Sequence, residues 1–133
     1  MRILGIETSC DETSAAVVED GRRVESCIIA SSSSAFTASG GVIPEQAARQ
    51  QIAAIHPVID QALEAAGVHP KDLDAIAITR GPGLLGSLLV GSVTARTLAA
   101  LWHLPLIGVH HTLGHLSSPW LDCPAEPRFP ILT

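Results

Sequence analysis

Near its start the sequence places three apolar segments too close together for any crossover helix to lie between them. Residues 2–7 form the first, Ser14 to Val18 the second and Val24 to Ala30 the third. Parallel neighbours need a connection of about a dozen residues or more, so these strands must run antiparallel. Asp20-Gly21 lies between the second and third and is a strong hairpin signal, because both residues tolerate left-handed backbone. Behind this meander the pattern changes period. Ile52, Ile55, Ile59, Ala62, Leu63 and Ala66 recur at helical spacing. Pro44 and Glu45 suit the start of that helix, and Gly67 suits its stop. His69 to Asp72 reads as a turn and Ala75 to Thr79 as a strand. Arg80-Gly81-Pro82-Gly83 is a loop into a long Ala/Leu-rich helix, which runs to about Trp102 and is ended by Pro105. Leu106 to Val109 is a short strand, and His110-His111 opens a helical segment to about Leu121. Residues 122–128 form a polar loop, and Phe129 to Thr133 begin a strand that the chain end cuts short.

The resulting order, βββ-α-β-α-β-α-β, describes an α/β domain of the ribonuclease H-like kind. Its sheet is expected to be mixed, with helices on its faces. At 133 residues the chain holds one domain. Hydrophobic residues make up 47% and charged residues 16%, which excludes intrinsic disorder. Aromatics are 3% with no Tyr, so the core must come from Ala, Val, Ile and Leu. The net charge of −5 and a pI near 5.6 are not the footprint of a domain that grips nucleic acid unaided. The three cysteines, Cys10, Cys27 and Cys123, form no CxxC and favour a reducing compartment. No signal peptide precedes Glu7, and the uncharged run between Arg80 and Arg96 is short for a membrane span. The expectation is a soluble, cytoplasmic protein.

Four segments could carry chemistry. In His111-Thr-Leu-Gly-His115 the two histidines share one helix face and can reach one divalent ion. The plain alternative is two locally hydrogen-bonded side chains near a helix end, and two ligands do not complete a site. Thr112 stands where a zinc protease carries its general-base glutamate. The turn Glu7-Thr8-Ser9-Cys10-Asp11-Glu12-Thr13 gathers hydroxyls and carboxylates able to hold phosphate or a metal, or serve as bases. It could equally be an ordinary polar turn, and Cys10 has no identifiable base beside it. Arg80-Gly81-Pro82-Gly83-Leu84-Leu85-Gly86-Ser87 can offer backbone donors to an anion, or merely permit close packing at Gly86 and Gly91. Gly40-Gly41-Val42-Ile43-Pro44-Glu45 is a loop and a helix start.

Taken in order, Gly5-Ile-Glu-Thr-Ser-Cys-Asp-Glu-Thr13, Gly40-Gly-Val-Ile-Pro-Glu45, Gly81-Pro-Gly-Leu-Leu-Gly-Ser-Leu-Leu-Val-Gly91 and Val109-His-His-Thr-Leu-Gly-His115 closely resemble the amino-terminal part of one family. This is the tRNA N6-adenosine threonylcarbamoyltransferase family, formerly the Gcp-like glycoproteases. The resemblance implies two ribonuclease H-like lobes of the actin, Hsp70 and sugar-kinase type, with residues 1–133 as an incomplete first lobe. It implies transfer of threonylcarbamoyl from threonylcarbamoyl-AMP to N6 of adenosine 37 in tRNAs that read codons starting with A. It also implies one divalent ion, iron rather than zinc. His111 and His115 match two of its ligands, and a third, an Asp, belongs to the second lobe. Asp11 and Glu12 match positions tied to activity. Implied partners are tRNA, a catalytically silent paralogue and an ATPase subunit, with no membrane.

The sequence departs from the family at Phe36 and Gln51, where the family usually has His, and near Ser39, where it has an aromatic residue. Ser31 to Ser34 replace a Ser-Gln pattern. Family members are longer, so residues 1–133 alone are expected to be inactive. A non-enzymatic docking module is the alternative, acting through the helices of residues 44–66 and 84–102. The old metalloprotease label ranks last, because of Thr112. An isolated lobe is expected to self-associate through its unpaired sheet edge and exposed apolar surface.

Overall fold

The computed structural model describes residues 1–31 and 41–124. Expectations for Phe36, Ser39, most of the serine run and the strand at Phe129–Thr133 lie outside the described residues.

The meander forms as read. Strands β1 (Arg2–Glu7), β2 (Glu12–Glu19) and β3 (Arg23–Ser31) are successively antiparallel. Asp20 at φ 54° and Gly21 at φ 67° both adopt the left-handed backbone that the Asp-Gly pair foretold. Helix α1 (Pro44–Ala66) follows, then a 3-10 turn at Pro70–Asp72, strand β4 (Ala75–Gly81), helix α2 (Leu85–Trp102) and strand β5 (Leu106–His110). The histidine segment is shorter than expected. Helix α3 covers only His111–Ser117, and Ser118–Trp120 continue as a 3-10 turn that contains Pro119. The sheet order is β3-β2-β1-β4-β5, with β1, β4 and β5 parallel to one another. This is the mixed α/β sheet anticipated from the element order.

The core lies between one sheet face and the two long helices. Leu4 and Ile6 of β1, Ala15 and Val17 of β2, and Ile76 and Ile78 of β4 alternate inward. They meet Ile55, Val58, Ile59, Ala62 and Leu63 of α1, and Ala95 and Ala99 of α2. Ile52, one of the helical repeat, instead lies 63% exposed, one step off that stripe. Helix α1 ends at Gly67, φ 64°. There the Gly67 N–H donates to Glu64 and the Val68 N–H to Leu63, closing the helix with Val68 packed beside Leu63.

Helix α2 is 18 residues long with mean hydropathy 1.3, long and apolar enough by those measures to cross a membrane. Its buried line is Ser87, Gly91, Ala95 and Ala99, a stripe of small residues lying on the sheet. The opposite sheet face is partly covered by α3 and by the chain after it. The Asp122 N–H donates to the Arg22 carbonyl, and its carboxylate accepts from the Val24 N–H, which ties this segment to the β2–β3 turn.

Candidate functional site

The carboxyl ends of β1, β4 and β5 lie side by side. In open α/β sheets this is the edge where ligands bind. Glu7 closes β1, Thr79 lies near the end of β4, and His110 hands β5 directly into α3. A cleft of about 320 Å³ opens here, lined among others by Glu7, Thr79, Val109 and Gly114.

The two histidines converge. His111 Nε2 and His115 Nε2 are 3.1 Å apart, with their rings nearly perpendicular. Two imidazoles bound at about 2.1 Å to one ion, at angles between roughly 95° and 110°, would have nitrogens about 3.1–3.4 Å apart. The separation is that of a hydrogen bond between the two rings, and it also matches the spacing of two adjacent coordination positions. Among the described residues no group of three or more His, Cys, Asp and Glu side chains forms a metal cluster, so the fit is to part of a site.

Sequence reasoning placed Glu7 and Ser9 only within a polar turn. Here they reach His111. Ser9 Oγ lies 3.2 Å and Glu7 Oε2 3.4 Å from His111 Nδ1. The Ser9 backbone N–H also donates to Glu7 Oε1. Partial burial works to raise the Glu7 pKa. The hydrogen bonds from Ser9, Thr79 and His111 outweigh it and hold the carboxyl below its ordinary value. Glu7 is thus ionised at neutral pH and accepts only. The signal available in sequence was its place at the end of an apolar strand.

Asp11 and Glu12 stand in the same turn, Asp11 half-buried and Glu12 exposed at the start of β2. Asp11 acts on Cys10. Burial first, and then the hydrogen bond and charge of Asp11, push the Cys10 thiol upward. That is the wrong direction for a thiolate nucleophile.

The turn is locked from two sides. Gln51 of α1, 1% exposed, points its amide nitrogen at the carbonyls of Thr8, Cys10 and Glu12 at 3.3, 3.1 and 2.9 Å. From the other side, the Leu84 N–H donates to the Ser9 carbonyl at 2.7 Å, Thr8 Oγ1 donates to the Ser87 carbonyl, and Ser87 Oγ donates to the Cys10 carbonyl. A Cβ on Gly83 would sit 2.5 Å from the Ser9 carbonyl oxygen, and one on Gly91 would collide with Thr8. Of the two readings of the glycine loop, the geometry shows close packing. At least one of its backbone donors, that of Leu84, is spent inside the fold rather than aimed at an anion.

Comparison with known proteins agrees with this architecture. The family model "TsaD: tRNA N6-adenosine threonylcarbamoyltransferase" matches residues 23–133. The tRNA N6-adenosine threonylcarbamoyltransferase of Thermomicrobium roseum is 55% identical over 99% of this chain and 38% of its own length. Those of Anaeromyxobacter sp. and Geobacillus kaustophilus are each 52% identical, over 99% and 98% of this chain and 39% and 37% of their own. The chain thus spans about two fifths of the length of these relatives. Among solved structures, YeaZ from Pseudomonas aeruginosa superposes on 83% of the chain and 45% of itself, with TM-score 0.59 and 25% identity. With family model and relatives agreeing along nearly the whole chain, it belongs to the tRNA N6-adenosine threonylcarbamoyltransferase family.

Proposed function

We propose that residues 1–133 are the first lobe of an enzyme that moves threonylcarbamoyl from threonylcarbamoyl-AMP to N6 of adenosine 37 in tRNAs reading codons that begin with A. The observation that carries this is identity of about one half to such transferases over 98–99% of the chain. The convergence of His111 and His115 on one point supports it. The YeaZ likeness, at 25% identity, is much weaker and concerns the fold.

In this reading His111 and His115 hold one divalent ion, iron in preference to zinc, and further ligands come from outside the described residues. When bound, such an ion supplies Lewis acidity toward a carbonyl or phosphate oxygen. The chain's own contribution is placement. Gln51, Ser87 and Leu84 fix the turn that carries Asp11 and Glu12, the two candidate activity residues of this reading. Holding reactants in one geometry is itself a large part of catalysis. With a net charge of −5, phosphate contacts with tRNA fall mainly to other surfaces. Arg49, one local candidate, is already paired with Glu45 at 2.9 Å. The setting is the cytoplasm, and the partners are the silent paralogue and the ATPase subunit.

A docking role is compatible with the same lobe, because Leu85, Leu89, Val93 and Leu101 of α2 are 53–76% exposed. Protease chemistry is disfavoured, since Thr112 holds the glutamate position between the histidines.

The test is transfer itself, read as threonylcarbamoyladenosine by nucleoside mass spectrometry after incubation with threonylcarbamoyl-AMP, tRNA and the partner subunits. The protein as its own cell makes it should be active, residues 1–133 alone inactive, and His111→Ala reduced by more than the roughly 10-fold to 100-fold that losing a partner of a metal ligand costs. Full activity in His111→Ala would sink the reading.

A further inference from the structure

Glu7 has no part in the ligand set just proposed, yet its carboxylate lies against one of the two proposed ligands. Its carboxylate is fixed by the Ser9 backbone N–H and turned toward His111 Nδ1 at 3.4 Å. His111 in turn presents Nε2 to His115. The neutral imidazole carries one proton, and the nitrogen that holds it is set by what the other nitrogen faces. An ionised carboxylate can only accept. Beside Nδ1 it favours Nδ1–H and leaves the lone pair on Nε2, the nitrogen that faces His115. Ser9 Oγ, 3.2 Å from the same Nδ1, can accept part of that hydrogen bond while its own proton turns to Glu7. The opposite tautomer would set a lone pair against a carboxylate oxygen and put a proton where an ion must bind.

We propose that Glu7 is the positioning residue of the metal site: its carboxylate fixes His111 as the Nδ1–H tautomer, orients the ring and strengthens Nε2 as a ligand. The inference rests on the reading of His111 and His115 as metal ligands. The geometry is the carboxylate–histidine–metal relay, in which the carboxylate touches the ligand and never the ion. Glu7 suits the task because it ends β1, a central strand paired on both sides, and cannot drift with the short helix that bears the histidines. Its side chain is 33% exposed, so replacing it leaves no buried charge unpaired.

Two measurements test this on the protein as its own cell makes it. The first is titration with Co²⁺ alone, read by visible absorption. Glu7→Gln should weaken Co²⁺ about 10-fold to 100-fold, the usual cost of losing such a partner. His111→Ala should weaken it further. The second is the nitrogen-15 spectrum of the His111 ring in metal-free protein at a pH where the ring is neutral. The unmutated protein should show Nδ1–H, and Glu7→Leu should shift the ring toward Nε2–H, a change that loss of general stability would not produce. Unchanged Co²⁺ affinity in Glu7→Gln, or an Nε2–H ring in the unmutated protein, overturns the role of Glu7 and leaves the metal reading standing. Co²⁺ binding that is absent, or indifferent to His111→Ala, overturns both.

Discussion

At the scale of single residues, polar side chains hold the functional edge together. Gln51 is a buried amide in an otherwise apolar helix face, and three backbone carbonyls converge on its nitrogen. Helical spacing puts it on the same face as Ala47 and Ile55, but could not reveal which backbone groups its amide would meet there. Its Oε1 is buried without a hydrogen-bond partner among the described residues, a cost accepted for the grip of the nitrogen on the turn. Charged residues act differently. Arg2 donates to Glu25 through Nε at 2.9 Å and Nη2 at 3.3 Å, and Arg23 adds a contact at 2.6 Å. The hydrogen bond from Arg2 holds the Glu25 carboxyl below its ordinary value. A carboxyl depressed in the folded state stabilises fully above its unfolded value, about 4.3. That contribution is lost as pH falls through the lower, folded value. Glu25→Gln should therefore lower the urea midpoint at pH 7, and the gap to the unmutated chain should narrow as pH falls below the unfolded value, about 4.3. A gap that does not narrow on acidification would show that Glu25 acts through packing instead.

At the scale of elements, the decisive contact is between helix α2 with its glycine loop and the β1–β2 turn. Gly83 lies against Ser9 so closely that any Cβ meets backbone, which cannot swing aside. Gly83→Ala should cost about 1–3 kcal/mol by overpacking, measured by chemical denaturation. It should also loosen the Thr8–Glu12 turn, seen as faster amide exchange there. Gly114, between the two histidines, has no atom within 4 Å of where its Cβ would sit. Gly114→Ala should leave stability unchanged or raise it by up to about 1 kcal/mol, because alanine is the better helix former. Equal losses in both variants would refute the contrast.

At the scale of the whole molecule, one sheet face is sealed by α1 and α2, and many large apolar side chains of the described residues stand exposed. Leu85, Leu89, Val93 and Leu101 of α2, Leu106 and Ile107 of the edge strand β5, and Leu113 and Leu116 of α3 are all exposed. Apolar surface on this scale marks contact with other protein. Residues 1–133 produced by themselves should sediment with a concentration-dependent mass. Leu89→Lys with Val93→Lys, which place charge in the middle of α2, should return them toward the monomer. A constant monomer mass for the unmutated chain across micromolar concentrations would refute this.

The sequence by itself determined the order of elements, the Asp20-Gly21 turn, the Gly67 stop and the pairing of His111 with His115. Each of these is local, set by backbone tolerance or by one helical turn. Composition and spacing also bounded the class, a mixed α/β sheet with an aliphatic core. Only the tertiary structure decided which residues meet across long stretches of chain. Glu7 and His111 are 104 positions apart, and Gln51 and Cys10 are 41 apart. The parallel pairing of β1, β4 and β5 brings about the first meeting, and the packing of α1 on β2 and β3 the second. The same assembly set the close packing of the glycine loop and turned the Leu84 N–H inward, because whether a backbone N–H faces a ligand or a neighbouring carbonyl depends on what packs against it. A hydrogen bond needs a partner at a particular place, and for groups distant in sequence that place exists only once the sheet has formed.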